Sequence, residues 1–132
     1  YYTNANKNII SLAMIETKEA VENIDEILSV PNLTGVYIGP ADMASSYGKQ
    51  PKFDIKDDLI YSKINRVAKK AKEYNKIAGI HTGSTDYAKE MIELGFQFIT
   101  ILSEFRFMTS FAEKILYEMK SNNNDSTEDS TY

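Results

Sequence analysis

Ile9-Ile10-Ser11-Leu12-Ala13-Met14-Ile15, followed at once by Glu16-Thr17, and Gly35-Val36-Tyr37-Ile38, followed by Gly39-Pro40-Ala41-Asp42, set the pattern of the whole chain. Each is a short apolar run that gives way to an acidic residue near its C-terminal end. Neither alternates cleanly between polar and apolar positions, which predicts parallel strands covered on both faces. Between them, Thr17 is placed to cap a helix from Lys18 to about Ser29 that turns Ala20, Ile24, Ile27 and Leu28 to one side, with Pro31 and Asn32 ending it.

The same unit repeats downstream. Ile77–Ile80 and Phe96–Leu102 read as further strands. A helix over Asp57 to Tyr74 carries Ile60, Ile64, Val67, Ala68 and Ala71 at helical spacing. Another starts at Thr85, buries Ala88, Met91 and Ile92, and stops with Gly95 at its C′ position. A fourth follows Ser110 and uses Phe111, Ala112, Ile115, Leu116 and Met119. Beyond Lys120 almost nothing apolar remains, so residues 1–120 read as one domain and 121–132 as a disordered polar tail. The order β-α-β-α-β-α-β-α demands parallel strands joined by right-handed crossovers. An open doubly wound sheet and a run of barrel strands both satisfy it. A complete (β/α)₈ barrel takes about 250 residues, and these four units supply close to half of one.

Composition narrows the function classes. The 42% hydrophobic and 26% charged fractions belong to a globular α/β protein. With a net charge of -4 and lysines spread beside acids along the helices, there is no basic stripe for nucleic acid. No apolar run approaches the ~20 residues of a membrane helix. The chain has no cysteine, which excludes disulfides, thiolate metal sites and thiol catalysis, and fits a cytoplasmic setting. The polar start, Tyr1 to Asn8, has no signal-peptide core, and the missing initiator Met reads as processing or as derivation from a longer chain.

Glu16 and Asp42 are the candidate metal ligands. Both follow strand ends, where barrel enzymes place their sites, and they are one βα unit apart. Neighbouring parallel strands lie about 4.8 Å apart, so two such carboxylates can converge on one hard cation, with Mg²⁺ the first choice and Mn²⁺ or Co²⁺ also accommodated. Capping of the following helices is the competing reading. Gly39, Pro40, Ala41 and Asp42 form a turn that allows close backbone approach and can present N–H groups to a substrate carboxylate, although an ordinary βα turn would look the same. Tyr47 and Phe53, after Asp42, are contact candidates, and Tyr37 reads as core. His81, the sole histidine, reads as a strand-end residue with a local partner, and Arg66 and Arg106 as surface residues. Ser45-Ser46 lacks the base spacing of nucleophilic catalysis, and no phosphate loop of Walker or dinucleotide type is present.

Ile15-Glu16-Thr17-Lys18-Glu19-Ala20-Val21-Glu22-Asn23-Ile24-Asp25-Glu26-Ile27 and Gly35-Val36-Tyr37-Ile38-Gly39-Pro40-Ala41-Asp42-Met43 together resemble paired motifs of the HpcH/HpaI aldolase/citrate lyase family. Ala78-Gly79-Ile80 and Gly95-Phe96-Gln97-Phe98-Ile99 are similar to its seventh and eighth strand regions, so the likeness runs to about residue 116. The resemblance implies the C-terminal half of a TIM barrel of the phosphoenolpyruvate/pyruvate-binding type. It implies class II aldolase chemistry, in which a divalent metal on residues matching Glu16 and Asp42 polarises pyruvate or a related 2-oxo acid, and the resulting enolate adds to an aldehyde. The family also uses an Arg and a His from its first barrel half, which has no counterpart here, so no residue of this chain is assigned a catalytic role. Loss of one such electrostatic donor typically costs about 10²–10³ in rate. The chain is therefore expected to need the missing N-terminal half, or to self-associate. A non-catalytic half-barrel that binds a metal or small carboxylate, or a decayed remnant, is the alternative.

Overall fold

The computed structural model describes residues 2–124, with side chains described to Lys120. Four strands, β1 (Leu12–Ile15), β2 (Gly35–Ile38), β3 (Ile77–Thr82) and β4 (Phe98–Ile101), form one parallel sheet in the order β1-β2-β3-β4. The helices are α1 (Ala5–Asn8), α2 (Lys18–Glu22), α3 (Ile24–Leu28), α4 (Pro40–Ser46), α5 (Asp58–Glu73), α6 (Thr85–Glu93) and α7 (Glu104–Asn124). A doubly wound sheet reverses its strand order at a switch point. This order does not reverse, which is the topology of consecutive barrel strands.

Burial separates the two faces of the sheet. Ile15, Val36, Ile38, Ala78 and Ile80 join Val21, Ile24, Leu28, Ile60, Ile64, Val67 and Met91 of the helices in one core. On the other face, Met14, Tyr37, Gly79 and Phe98 lie in register across the four strands. Met14 is 50% and Phe98 46% exposed. The expectation of cover on both faces is thus corrected: helices cover one face, and the second is apolar without being covered, as the inward wall of a barrel would be. Gly79 permits the cross-strand packing there. A Cβ at that position would lie 2.7 Å from Tyr37 Cδ2 and 3.1 Å from Phe98 Cδ1, and the two rings meet across it at 5.9 Å.

Local chemistry sets the element ends. Asp57 caps α5 by accepting from the N–H groups of Leu59 and Ile60. Three helices close on a left-handed residue, Gly48, Asn75 or Gly95. In α6 the Gly95 N–H donates to Ile92 and the Phe96 N–H to Met91, a Schellman closure that buries Phe96. Phe96 is accordingly a helix anchor and not the first residue of β4. The expected helix from Lys18 to Ser29 divides at Asn23 (φ -89, ψ 18), an amide residue of poor helix propensity. Ile9 and Ile10 are exposed and precede β1, and Ile92, expected to be buried, is 59% exposed.

The chain divides into two compact units at Leu102, whose φ is 51°. The second unit contains α7, which starts at Glu104 and not after Ser110. Its Phe111, Ile115, Leu116 and Met119, expected to pack, are exposed. From residue 125 the polar tail expected over 121–132 lies outside the described residues. No helix among the described residues is long and apolar enough to cross a membrane.

Candidate active site at the strand C-termini

Glu16 follows β1 and Gly39 follows β2, and the last strand residues, Ile15 and Ile38, are register partners. Glu16 is therefore delivered beside Gly39, and Asp42 stands one turn further on, in the first turn of α4. A Cβ built on Gly39 would lie 3.0 Å from Glu16 Oε2 and 3.5 Å from Asp42 Oδ2. The two carboxylate oxygens therefore approach one point, and the missing side chain of Gly39 leaves that point open. Pro40, at the first position of α4, supplies no N–H where none is needed and fixes the exit from the strand. Among the described residues no group of three or more His, Asp or Glu converges, so Glu16 and Asp42 approach each other as a pair and not within a larger acidic cluster.

Helix capping does not account for either acid. Thr17 caps α2, accepting from the Ala20 N–H at 3.1 Å. Gly39 occupies the cap position of α4, with no side-chain bond, and Asp42 lies inside the helix. The ion pairs involve other acids: Lys18 with Glu22, Lys49 with Asp57, and Lys70 with Asp25 and Glu73. The two βα loops are tied together by the Lys18 N–H, which donates to Ser46 Oγ at 2.7 Å. Ser46 thus holds the end of α4 against the start of α2. Nothing in the sequence spacing points to that bond.

Gly39, Pro40, Ala41 and Asp42 line a cavity of about 280 Å³ together with Lys52, Phe53 and His81. Phe53 of the expected contact candidates faces this cavity. Tyr47 instead packs against the core under the Lys63 ammonium, and Tyr37 lies on the uncovered face of the sheet. A somewhat larger cavity, of about 360 Å³, lies at the N-terminal ends of β3 and β4 between Lys72, Lys76 and Phe96, and no acid lines it.

His81 has the local partner expected of it. Its Nδ1 is 2.8 Å from Thr100 Oγ1, and the same oxygen bonds the Tyr37 hydroxyl. The Phe53 ring stands 5.8 Å from the imidazole. The 49–57 loop that carries Phe53 is pinned at Gly83, whose N–H donates to Asp54 Oδ1 at 2.7 Å. A Cβ on Gly83 would come within 2.6 Å of Phe53 Cβ, so only glycine admits this approach. At the loop's far end the Lys49 ammonium, with the helix N–H groups, holds the Asp57 carboxyl below its usual range. Lys52 and the Gly83–Asp54 pin were not legible as site features, because they meet only through the fold. Arg66 is exposed on α5, and Arg106 belongs to the second unit.

Known proteins share this arrangement of elements. A hydroxypyruvate/pyruvate aldolase from Rhizorhabdus wittichii is 36% identical over 120 residues, which are 91% of this chain and 48% of that protein. An HpcH/HpaI aldolase/citrate lyase family protein from Burkholderia cenocepacia superposes with a TM-score of 0.84 at 24% identity, over 91% of this chain and 46% of its own. The citrate lyase β subunit from M. tuberculosis, solved with oxaloacetate and magnesium, superposes with a TM-score of 0.61 at 14% identity, over 73% of this chain and 48% of its own. The chain thus spans about half the length of the curated relatives it matches. The family model for HpcH/HpaI aldolase/citrate lyase matches residues 2–107, and with four parallel βα units making half of that barrel, this chain belongs to the HpcH/HpaI aldolase/citrate lyase family.

Proposed function

We propose that the chain is the C-terminal portion of a divalent-metal-dependent, class II aldolase of the cytoplasm that forms or cleaves 4-hydroxy-2-oxo acids, with pyruvate and an aldehyde as partners. The observation that carries this reading is the approach of Glu16 Oε2 and Asp42 Oδ2 to one open point beside Gly39, at the strand ends of an aldolase-family half-barrel. Two carboxylates suit a hard divalent ion: they balance its charge and leave positions for substrate oxygens. Glu16 and Asp42 would hold Mg²⁺, or Mn²⁺ or Co²⁺, and the ion when bound would supply Lewis-acid polarisation of the 2-oxo acid.

The chain's own residues have separate tasks. The first turn of α4 leaves N–H groups without intrahelical acceptors, so those of Ala41 and Asp42 are available to a substrate carboxylate. Gly39 permits the approach, and Pro40 and Phe53 narrow the cavity and keep water from the substrate. Catalytic groups beyond these come from a first barrel half, which would also cover Met14 and Phe98. In support, relatives are about twice as long as this chain. The same half-length favours a second reading, a half-barrel that binds metal or a small carboxylate without turnover.

The experiment is metal titration of the chain and its Glu16→Gln and Asp42→Asn variants, with Mn²⁺ binding followed by electron paramagnetic resonance, alongside a pyruvate aldol assay. Each substitution should weaken binding at least tenfold, and the isolated chain should show no turnover. Unchanged Mn²⁺ affinity in both variants removes the ligand assignment. Aldol activity gained on adding a first barrel half decides between the two readings.

A further inference from the structure

His81 shares the Asp42 cavity and ends a chain of hydrogen bonds that begins on another strand. Tyr37 of β2, Thr100 of β4 and His81 of β3 meet on the uncovered face of the sheet. The Tyr37 hydroxyl lies 2.5 Å from Thr100 Oγ1, which lies 2.8 Å from His81 Nδ1. Thr100 has one hydroxyl proton to share between two neighbours. Either atom of each pair can donate, and the greater acidity of a phenol over an aliphatic alcohol favours the order in which Tyr37 donates to Thr100 and Thr100 to Nδ1. In that order a neutral ring would carry its proton on Nε2, since the tautomer follows from the bond made by the other nitrogen. Phe53 flanks the ring at 5.8 Å, on a loop pinned by Asp54 and Gly83. The imidazole is thus held in place before any ligand arrives.

We propose that His81 is a specificity-determining residue: its Nε2–H donates a hydrogen bond to a hydroxyl or carboxylate oxygen of the second substrate, so the site favours aldehydes bearing such a group over alkyl aldehydes of equal size. The proposal rests on the aldolase reading above. An alkyl aldehyde in this cavity would strip water from the Nε2–H and return no acceptor, which is how a site built around a hydrogen bond rejects an apolar isostere. A donor already fixed in place gives up little freedom on binding. Lys52, lining the same cavity, adds a positive charge that suits a carboxylate-bearing aldehyde.

Two measurements test it. The imidazole ¹⁵N signals that vanish in His81→Phe should show a protonated Nε2 and an accepting Nδ1, and Thr100→Val should move Nδ1 alone toward the frequency of an unbonded ring nitrogen. A proton resident on Nδ1 overturns the proposal. With the chain complemented by a first barrel half and pyruvate as donor, the ratio of kcat/KM for glycolaldehyde over propionaldehyde should fall about tenfold in His81→Phe, the loss of one hydrogen bond. KM for pyruvate should not change, and His81→Gln should recover part of the ratio. An unmoved ratio, or an equal fall for both aldehydes, makes His81 structural and overturns the proposal. A complemented wild-type chain that turns over neither aldehyde defeats the aldolase reading instead, and does so before any variant is made.

Discussion

The two faces of one sheet show how differently the same strands can be used. On the helix side, Ile15, Ile38 and Ile80 have no exposed surface at all. One residue away along the same strands, Met14 is half exposed and Tyr37 and His81 are only partly covered. The alternation imposed by the strand's two-residue period sends neighbouring residues to opposite fates. The helix side is complete within the chain. The other side carries apolar side chains, a hydrogen-bonded polar chain and the rim cavity, and it is completed by nothing within the first unit.

Truncation on the two faces should therefore differ most. Ile80→Ala removes a fully buried side chain and should lower stability by about 2–5 kcal/mol. Met14→Ala, on the exposed side, should stay within about 0.5 kcal/mol in the chain alone. Urea unfolding of the two variants provides the comparison. Equal losses would mean that the second face is also packed and that the chain closes on itself. A Met14→Ala loss that grows on adding a first barrel half would identify what covers this face.

Much of this was legible in the sequence. Four apolar runs spaced by helical patterns gave the parallel order, and Asp57, Thr17 and Gly95 marked their helix ends as local rules require. Glu16 and Asp42 stood out as candidates because both follow strand ends, and those two strands do pair as neighbours. The cover of the second face was not legible, because an apolar run without alternation looks the same whether the facing layer lies in this chain or elsewhere. The α7 stripe misleads for a similar reason: amphipathic spacing shows that a face seeks cover and not that it finds cover within its own unit. Lys52, Ser46 and the Tyr37–Thr100–His81 chain were out of reach, since each depends on contacts between distant loops or strands.

The rim loop over the uncovered face offers a finer test, because one glycine admits it. Gly83→Ala places a Cβ within 2.6 Å of Phe53 Cβ and must displace either the loop or β3. Such overpacking typically costs about 1–3 kcal/mol, less than the Ile80 cavity because a surface loop can move. The loss should be accompanied by a change in the His81 ring signals, as Phe53 leaves its side of the imidazole. Lost stability with an unchanged His81 environment would show that the strain is absorbed by β3 and that the loop does not order the cavity.

The smallest expected effect is electrostatic and lies at the other end of the same loop. Asp57 caps α5 and pairs with Lys49 at 3.0 Å, and its carboxyl titrates below the usual carboxylate range. A carboxyl whose folded pKa is depressed contributes stability at pH values above its unfolded pKa, about 3.9, and loses it as the pH falls through the lower folded value. Asp25 beside Lys70 behaves likewise, on the helix-covered side of the fold. Asp57→Asn keeps an oxygen that can accept from Leu59 and Ile60 but removes the charge that attracts Lys49. The wild-type chain and the Asp57→Asn variant should therefore differ modestly in urea midpoint at pH 7 and converge once the pH lies below the folded value. Because the pair is solvent-accessible, salt should shrink the difference at neutral pH. A difference that persists unchanged into acid would mean that the cap, and not the charge, holds this end of the loop, leaving Gly83 as its principal anchor.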